Sequence, residues 1–305
     1  MRILVMLWVG IPALTAMPFA AQNGIINVIL GGLLVLAETF VICRTKLNET
    51  LRKPVIYATA ISLVLTSAVS VSFIANVVAM YILPNTNSAV VSAVFTFAAL
   101  YMAVSGRKTV GRTAEILFCV CILNVGFALF SAVGEIGFIV GKINISDILK
   151  SACAFGGVQI LYVLLPETEG GEIEKKAFTA TSFAVATVII FTMISMGRFG
   201  IEDMSNRNFA IYNIMDSVRF PILFGDRHDL FMLRTGLFGG FVAVGEGMFF
   251  AGNVFTEKKY LKPVMAVIIF VISLFAEIEL LWFTGIISII IFGIVLPIIA
   301  WRVRK

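Results

Sequence analysis

The chain of 305 residues is 60% hydrophobic and only 13% charged, with a mean hydropathy of +1.02, whereas a soluble domain carries about 25% charged residues. This composition excludes a soluble globular domain and a nucleic-acid binder, and with one histidine, His228, the parts of a histidine metal cluster or a nucleophile triad are missing. An integral membrane protein that is not an enzyme, with no metal and no cofactor, is the expectation, and the formal net charge of +5 matters through its placement.

A hydrocarbon core of roughly 30 Å takes about 20 apolar residues per helix, which allows about ten crossings in a chain of this length. Apolar runs between polar breaks predict ten helices, at 3–20, 24–42, 54–83, 88–105, 112–133, 146–165, 176–196, 230–254, 263–281 and 284–301. The expected fold is therefore all-α and polytopic, one transmembrane domain over residues 1–305. The third helix is long enough to tilt or to extend past the membrane. Connections such as Pro84 to Asn87 and Glu167 to Glu174 carry turn formers or dense charge, as surface loops do.

The first segment has a competing reading as a cleaved signal peptide, because Arg2, an apolar run and Phe19-Ala20-Ala21 resemble one superficially. A bulky Phe would then stand at position −3, and removal would leave nine helices and a charge imbalance. A first transmembrane helix is preferred.

With the N-terminus inside, the inner connections and termini hold 16 of the 23 Lys and Arg, among them Arg44, Arg107, Lys175, Lys258 and Arg302. The positive-inside rule thus favours cytoplasmic termini. The exception is one long outer segment, residues 197–229, with Arg198, Arg207, Arg219 and Arg227 and, just past it, Arg234. Its spaced apolar residues, such as Phe209, Tyr212 and Val218, fit short amphipathic helices forming an outer lid, or equally a surface loop packed for stability.

Two apolar runs are interrupted. In the first helix, GIPALTAMP from Gly10 to Pro18 places two prolines mid-membrane, where unpaired backbone is tolerated only beside protein or water. In the sixth, AFGGVQILYVLLP from Ala154 to Pro166 carries the Gly156-Gly157 pair, and glycine costs about 1 kcal/mol relative to alanine inside a helix. The two are five helices apart. Matching interruptions point to a five-plus-five inverted repeat of LeuT-like architecture, with halves of about 1–133 and 146–301 and a ligand near the midplane between broken helices 1 and 6. The alternative is that Gly156 and Gly157 merely let two helices approach.

Candidate ligand-binding residues are accordingly Gly10, Pro12, Ala13, Thr15, Ala16, Ala154, Phe155, Gly156, Gly157 and Gln159. Trp8, Ser151 and Tyr162 flank the breaks, and N–H groups freed at half-helix N-termini favour a carboxylate, hence an amino acid. The eighth helix carries Gly236, Gly239, Gly240, Gly245, Gly247 and Gly252, and is expected to lie tightly against a neighbour such as the first.

Intramembrane acids are functional candidates by default. Glu38 on the second helix and Glu246 on the eighth lie about 21 Å and 24 Å below the outer helix ends at 1.5 Å per residue, and are candidates for coupling or gating. The competing role for Glu246 is a hydrogen-bonded structural carboxyl. Hydroxyls suited to sodium are scarce on the eighth helix, which favours a proton or no coupled ion. Cys43, Cys119, Cys121 and Cys153 fall within or at the ends of apolar runs and read as small buried hydrophobes.

GRKTVGRTAEILF, residues 106–118, resembles the loop and start of the fifth helix in the GerAB-type endospore germination permeases, with Arg112 and Glu115 in the family's Arg-x-x-Glu group. FPILFGDRHDLFMLRTG, residues 220–236, is similar to that family's segment before the eighth helix, through Phe224, Arg227 and Asp229. The two interrupted runs also fit its broken helices. The resemblance implies a scaffold of the amino acid–polyamine–organocation superfamily and a B subunit that binds a nutrient germinant in the inner membrane of a bacterial spore, working with A and C subunits. It further implies an outer-gate ion pair of Arg227 and Asp229, or a family signature without a ligand role. A proton-coupled secondary carrier of amino acids or amines is the second reading.

Overall fold

The computed structural model describes residues 2–45, 49–132, 134, 136–156, 158–164, 172–206, 229–255 and 261–303, and the regular structure among them is helical throughout. In chain order the helices are α1 (Arg2–Ala20), α2 (Ile25–Arg44), α3 (Glu49–Tyr81), α4 (Ser88–Val104), α5 (Arg107–Ala132), α6 (Ile145–Ala154), α7 (Leu161–Leu164), α8 (Glu172–Asn206), α9 (Asp229–Phe255), α10 (Leu261–Ser273), α11 (Ile278–Ser288) and α12 (Leu296–Val303). A π-helical stretch, Ile289–Val295, joins α11 to α12. Six helical stretches among the described residues are long and apolar enough to cross a membrane: Ile25–Arg44, Leu51–Tyr81, Arg107–Phe130, Glu174–Met204, Leu233–Val254 and Ile278–Arg302. The chain is a multi-pass helical protein.

Three boundaries differ from the expectation. The first predicted helix is not broken: α1 runs continuously through Pro12 and Pro18. Each proline removes one intrahelical donor, but its fixed φ is close to helical. Nearly every described residue from Val5 to Ala21 is buried against neighbouring helices, so the weakened ladder is held from outside. The seventh predicted helix does not stop at 196; α8 continues to Asn206 through a bend at Gly200, where φ is 74°. The start of the expected lid is therefore helical, and residues 207–228, with Arg227, lie outside the described residues. Asp229 opens α9, and its side chain also lies outside them. The turn between the ninth and tenth predicted helices falls at residues 274–277, not 281–284. The carbonyl of Ala276 there accepts a bond from Ser72 Oγ of α3 at 2.9 Å, which anchors a turn that has neither Gly nor Pro to announce it.

In a bilayer, helix association rests on close van der Waals packing, and small residues permit it. The glycines of α9 do this on several sides. A Cβ on Gly239 would run into Ile11 of α1, one on Gly240 into Ile74 of α3, and one on Gly245 into Met102 of α4. Gly247 meets the Trp8 ring, with 2.9 Å from an added Cβ to its nearest atom, and Ser67. This is the tight neighbour relation expected of the eighth predicted helix. α1 packs chiefly on α8, then on α9 and α6.

An extended strap, residues 136–144, closes the end where α1 turns into α2. The first amides of a helix have no intrahelical acceptor, and α2 has no side-chain cap at Gly24. Instead Ile25 N–H donates to Ile139 C=O at 3.0 Å and Ile26 N–H to Val140 C=O at 3.3 Å. Asn27 Nδ2 donates to Lys142 C=O, and Asn144 N–H to Asn27 Oδ1, both at 2.9 Å. The backbones cross so closely that Gly24 and Gly141, at φ 113° and 70°, leave no room for a Cβ on either.

Candidate functional site

α6 starts with ordinary capping chemistry: the Asn144 side chain accepts from Ser146 N–H at 2.9 Å, and Asp147 sits in the first turn, where negative charge suits the helix dipole. Asn23 Nδ2, from the α1–α2 turn, donates to Asp147 Oδ2 at 2.5 Å. After ten residues the helix stops. Phe155 N–H turns back to Ala152 C=O at 3.2 Å and Gly156 N–H to Cys153 C=O at 2.9 Å, and the chain resumes only as a 3-10 turn, Val158–Ile160, followed by the single turn of α7. The sixth predicted helix is thus interrupted where the Gly156-Gly157 pair indicates; Gly157 itself lies outside the described residues.

Gln159 braces the interruption. Its Nε2 donates to Ser62 Oγ of α3 at 2.7 Å and to Gly156 C=O at 2.6 Å, while its Oε1 accepts from Ser288 Oγ of α11 at 3.0 Å. All three bonds are made by a side chain 1% exposed, so Gln159 ties the segment to two distant helices. Neither Ser62 nor Ser288 was expected here: Ser62 is one of four serines on α3 and Ser288 is the last residue of α11, and neither has a local signature.

Glycines clamp α6 from two sides. A Cβ on Gly31 of α2 would lie 2.5 Å from Ser151 Cβ and 2.9 Å from two α6 backbone atoms, Ala152 N and Ile148 O. One on Gly285 of α11 would lie 2.5 Å from Cys153 Cβ and 2.7 Å from its Cα. Below the break, Tyr162 Oη donates to Phe292 C=O in the π-helical stretch at 3.2 Å, and their rings are 5.6 Å apart.

The structure brings the first and sixth predicted helices together, since α1 packs on both α6 and the 3-10 turn. Ala13, Ala16, Ala154 and Phe155 are fully buried, and Pro12 is buried too. The Thr15 side chain lies outside the described residues. Gly10 faces elsewhere: it lines a cavity of about 210 Å³ between α1, α5 and α8 that none of the other candidates lines. At 3.6 residues per turn, Pro12 and Ala16 fall on the side of α1 away from it.

The two acids occupy separate interfaces. Glu246 is 0% exposed, and neither carboxylate oxygen has a hydrogen-bond partner among the described residues. It lies two helical turns below Gly239, on the stripe that Gly239 turns toward α1. Glu38 is buried beside the π-helical stretch: a Cβ on Gly293 would be 3.4 Å from Glu38 Cγ, and Glu38 Oε1 also has no partner among the described residues. Ser151 Oγ, next to the interruption, likewise has no partner among the described residues. Cys121 and Cys153 are buried packing residues, whereas Cys119 is exposed on α5.

Among curated proteins none matches the chain. A family described as spore germination protein matches through its model over residues 1–280, which includes every helix from α1 to α10. This multi-pass helical membrane protein belongs to the spore germination permease family.

Proposed function

We propose that the protein is the germinant-binding subunit of a spore germination receptor, built on a transporter-like scaffold. The observation that carries this reading is the interruption at Phe155–Gly156, set beside α1 in a chain of this family. The C-terminal end of α6 carries partial negative charge. With the Ser151 hydroxyl beside it, which has no partner among the described residues, it suits the ammonium group of an amino acid. In this reading the ligand sits near the midplane between α6 and the Pro12–Ala16 stretch of α1, in a ten-helix, five-plus-five arrangement of LeuT-like type. The Lys and Arg distribution favours cytoplasmic termini. The inner membrane of the spore is the location and A and C subunits are the partners that such a receptor subunit has.

A second reading, proton-coupled secondary transport of amino acids or amines, is favoured by Glu246. A carboxyl fully buried in a membrane helix with no partner among the described residues is a candidate proton carrier. Uptake of radiolabelled amino acids into proteoliposomes under an imposed pH gradient separates the two. The sensor predicts saturable binding without accumulation, and Glu246→Gln then leaves binding unchanged between pH 6 and 8, a window of about one unit either side of neutrality. Accumulation above equilibrium that Glu246→Gln abolishes would replace the sensor with a carrier.

A further inference from the structure

The cavity that Gly10 lines has a chemistry unlike that of the interruption. Leu7, Ile11 and Leu14 of α1 form its floor, Phe118 to Leu129 of α5 one wall, and Phe183 to Val188 of α8 the other. Among the described residues the polar side chains that line it are Thr187, Thr235 and the Cys121 thiol, none of them charged. Thr187 Oγ1 donates to its own helix at Phe183 C=O, 2.8 Å away, and the Cys121 thiol points at Thr235 C=O at 3.7 Å. A zwitterion seated here would bury its charges without partners, which is prohibitive. A water needs two to four polar partners, and apolar cavities without them stay dry. At about 210 Å³ the space exceeds the roughly 150 Å³ of an apolar cavity known to take up benzene.

The rim decides the occupant. Phe183 is 48% exposed and Ile122 44%, and they continue into the bilayer-facing belt of α5 and α8 formed by Leu123, Phe130 and Ile190. The cavity is therefore a side branch of an existing hydrocarbon interface, with no polar barrier between them. We propose that it is a lipid site, occupied by one acyl chain of a membrane phospholipid that enters between α5 and α8 and seats against α1. A chain there packs on the face of α1 away from Pro12 and Ala16. Gly126 is the entrance: it lines the cavity, and a Cβ built on it meets no heavy atom within 4 Å. A Cβ at 126 displaces no neighbour, and a side chain grown from it starts at the mouth of the cavity.

The test uses the full chain in vesicles of phosphatidylglycerol and phosphatidylethanolamine, doped with a phospholipid bearing a diazirine at mid-chain, followed by irradiation and peptide mapping. Leu14 and Leu7, each 4% exposed and lining the cavity, are out of reach of lipid that merely surrounds the protein. Their labelling in the wild type is the expected result. Gly126→Phe should lower that labelling roughly tenfold, as a ring filling the same contacts would, while Phe97 and Tyr101 on the exposed face of α4 keep theirs. Labels confined to exposed residues in the wild type would overturn the proposal without any variant. So would undiminished labelling of Leu14 and Leu7 in an inserted Gly126→Phe protein.

Discussion

Gly31→Val and Gly285→Val are each expected to loosen α6 and lower the thermal stability of the purified protein by about 3 kcal/mol or more, the upper end of overpacking costs. The reason is what the new atoms meet. At Gly31 an added Cβ lies 2.9 Å from Ala152 N and Ile148 O, and at Gly285 it lies 2.7 Å from Cys153 Cα. These are backbone atoms that cannot swing aside as a side-chain tip can. α6 has only ten residues, so a shift at either face is transmitted directly to Phe155 and Gly156. Gly111→Ala is the control: its Cβ meets nothing within 4 Å, and alanine in a helix is favoured over glycine by up to about 1 kcal/mol. Unfolding midpoints in detergent should fall for the first two and hold or rise for the third. Equal midpoints for all would mean that the α2–α6–α11 contacts do not hold the interruption.

Gln159→Leu is expected to be comparably damaging. It deletes three hydrogen bonds at once and leaves the Gly156 carbonyl and the Ser62 and Ser288 hydroxyls to find other partners in a buried site. Each buried polar group left unsatisfied costs about 1–3 kcal/mol, so a total near 3 kcal/mol is expected after local relaxation. Gln159→Glu separates stability from shape. In its neutral form it keeps an acceptor for Ser288 and offers one O–H donor in place of two N–H donors, and should fall between wild type and Gln159→Leu in a thermal melt. A stable, ligand-responsive Gln159→Leu protein would show that the brace is dispensable.

The composition and the apolar runs sufficed for the class and for most helices, because membrane insertion is decided locally, by about 20 residues at a time. The interruption at Gly156 was legible for the same reason: a glycine pair weakens a helix wherever it lies. The prolines of α1 misled because a proline's effect depends on its surroundings, and burial of Val5 to Ala21 supplies a constraint that no local pattern carries. Gln159 was legible as a polar residue near the break, yet not as a brace, since Ser62 and Ser288 lie 97 and 129 residues away in the chain. The strap over α2 was hidden likewise, because Asn27 and Lys142 are separated by 115 residues. The π-helical stretch Ile289–Val295 sits in an apolar run where α and π turns have the same composition. Gly10 was grouped with Pro12 and Ala16 by adjacency in sequence; helical geometry turns it toward the cavity beside α5 and α8.

The most direct test of a ligand site at the interruption is photo-crosslinking of the purified chain with a diazirine-bearing amino acid analogue, competed by the parent amino acid and mapped to residues. The account predicts competable labels on Ser151 to Gly156 and on the Pro12 to Ala16 stretch of α1, and their loss in Gly285→Val. Competable labels on the α5 and α8 walls instead, with residues 151–156 unlabelled, would contradict it.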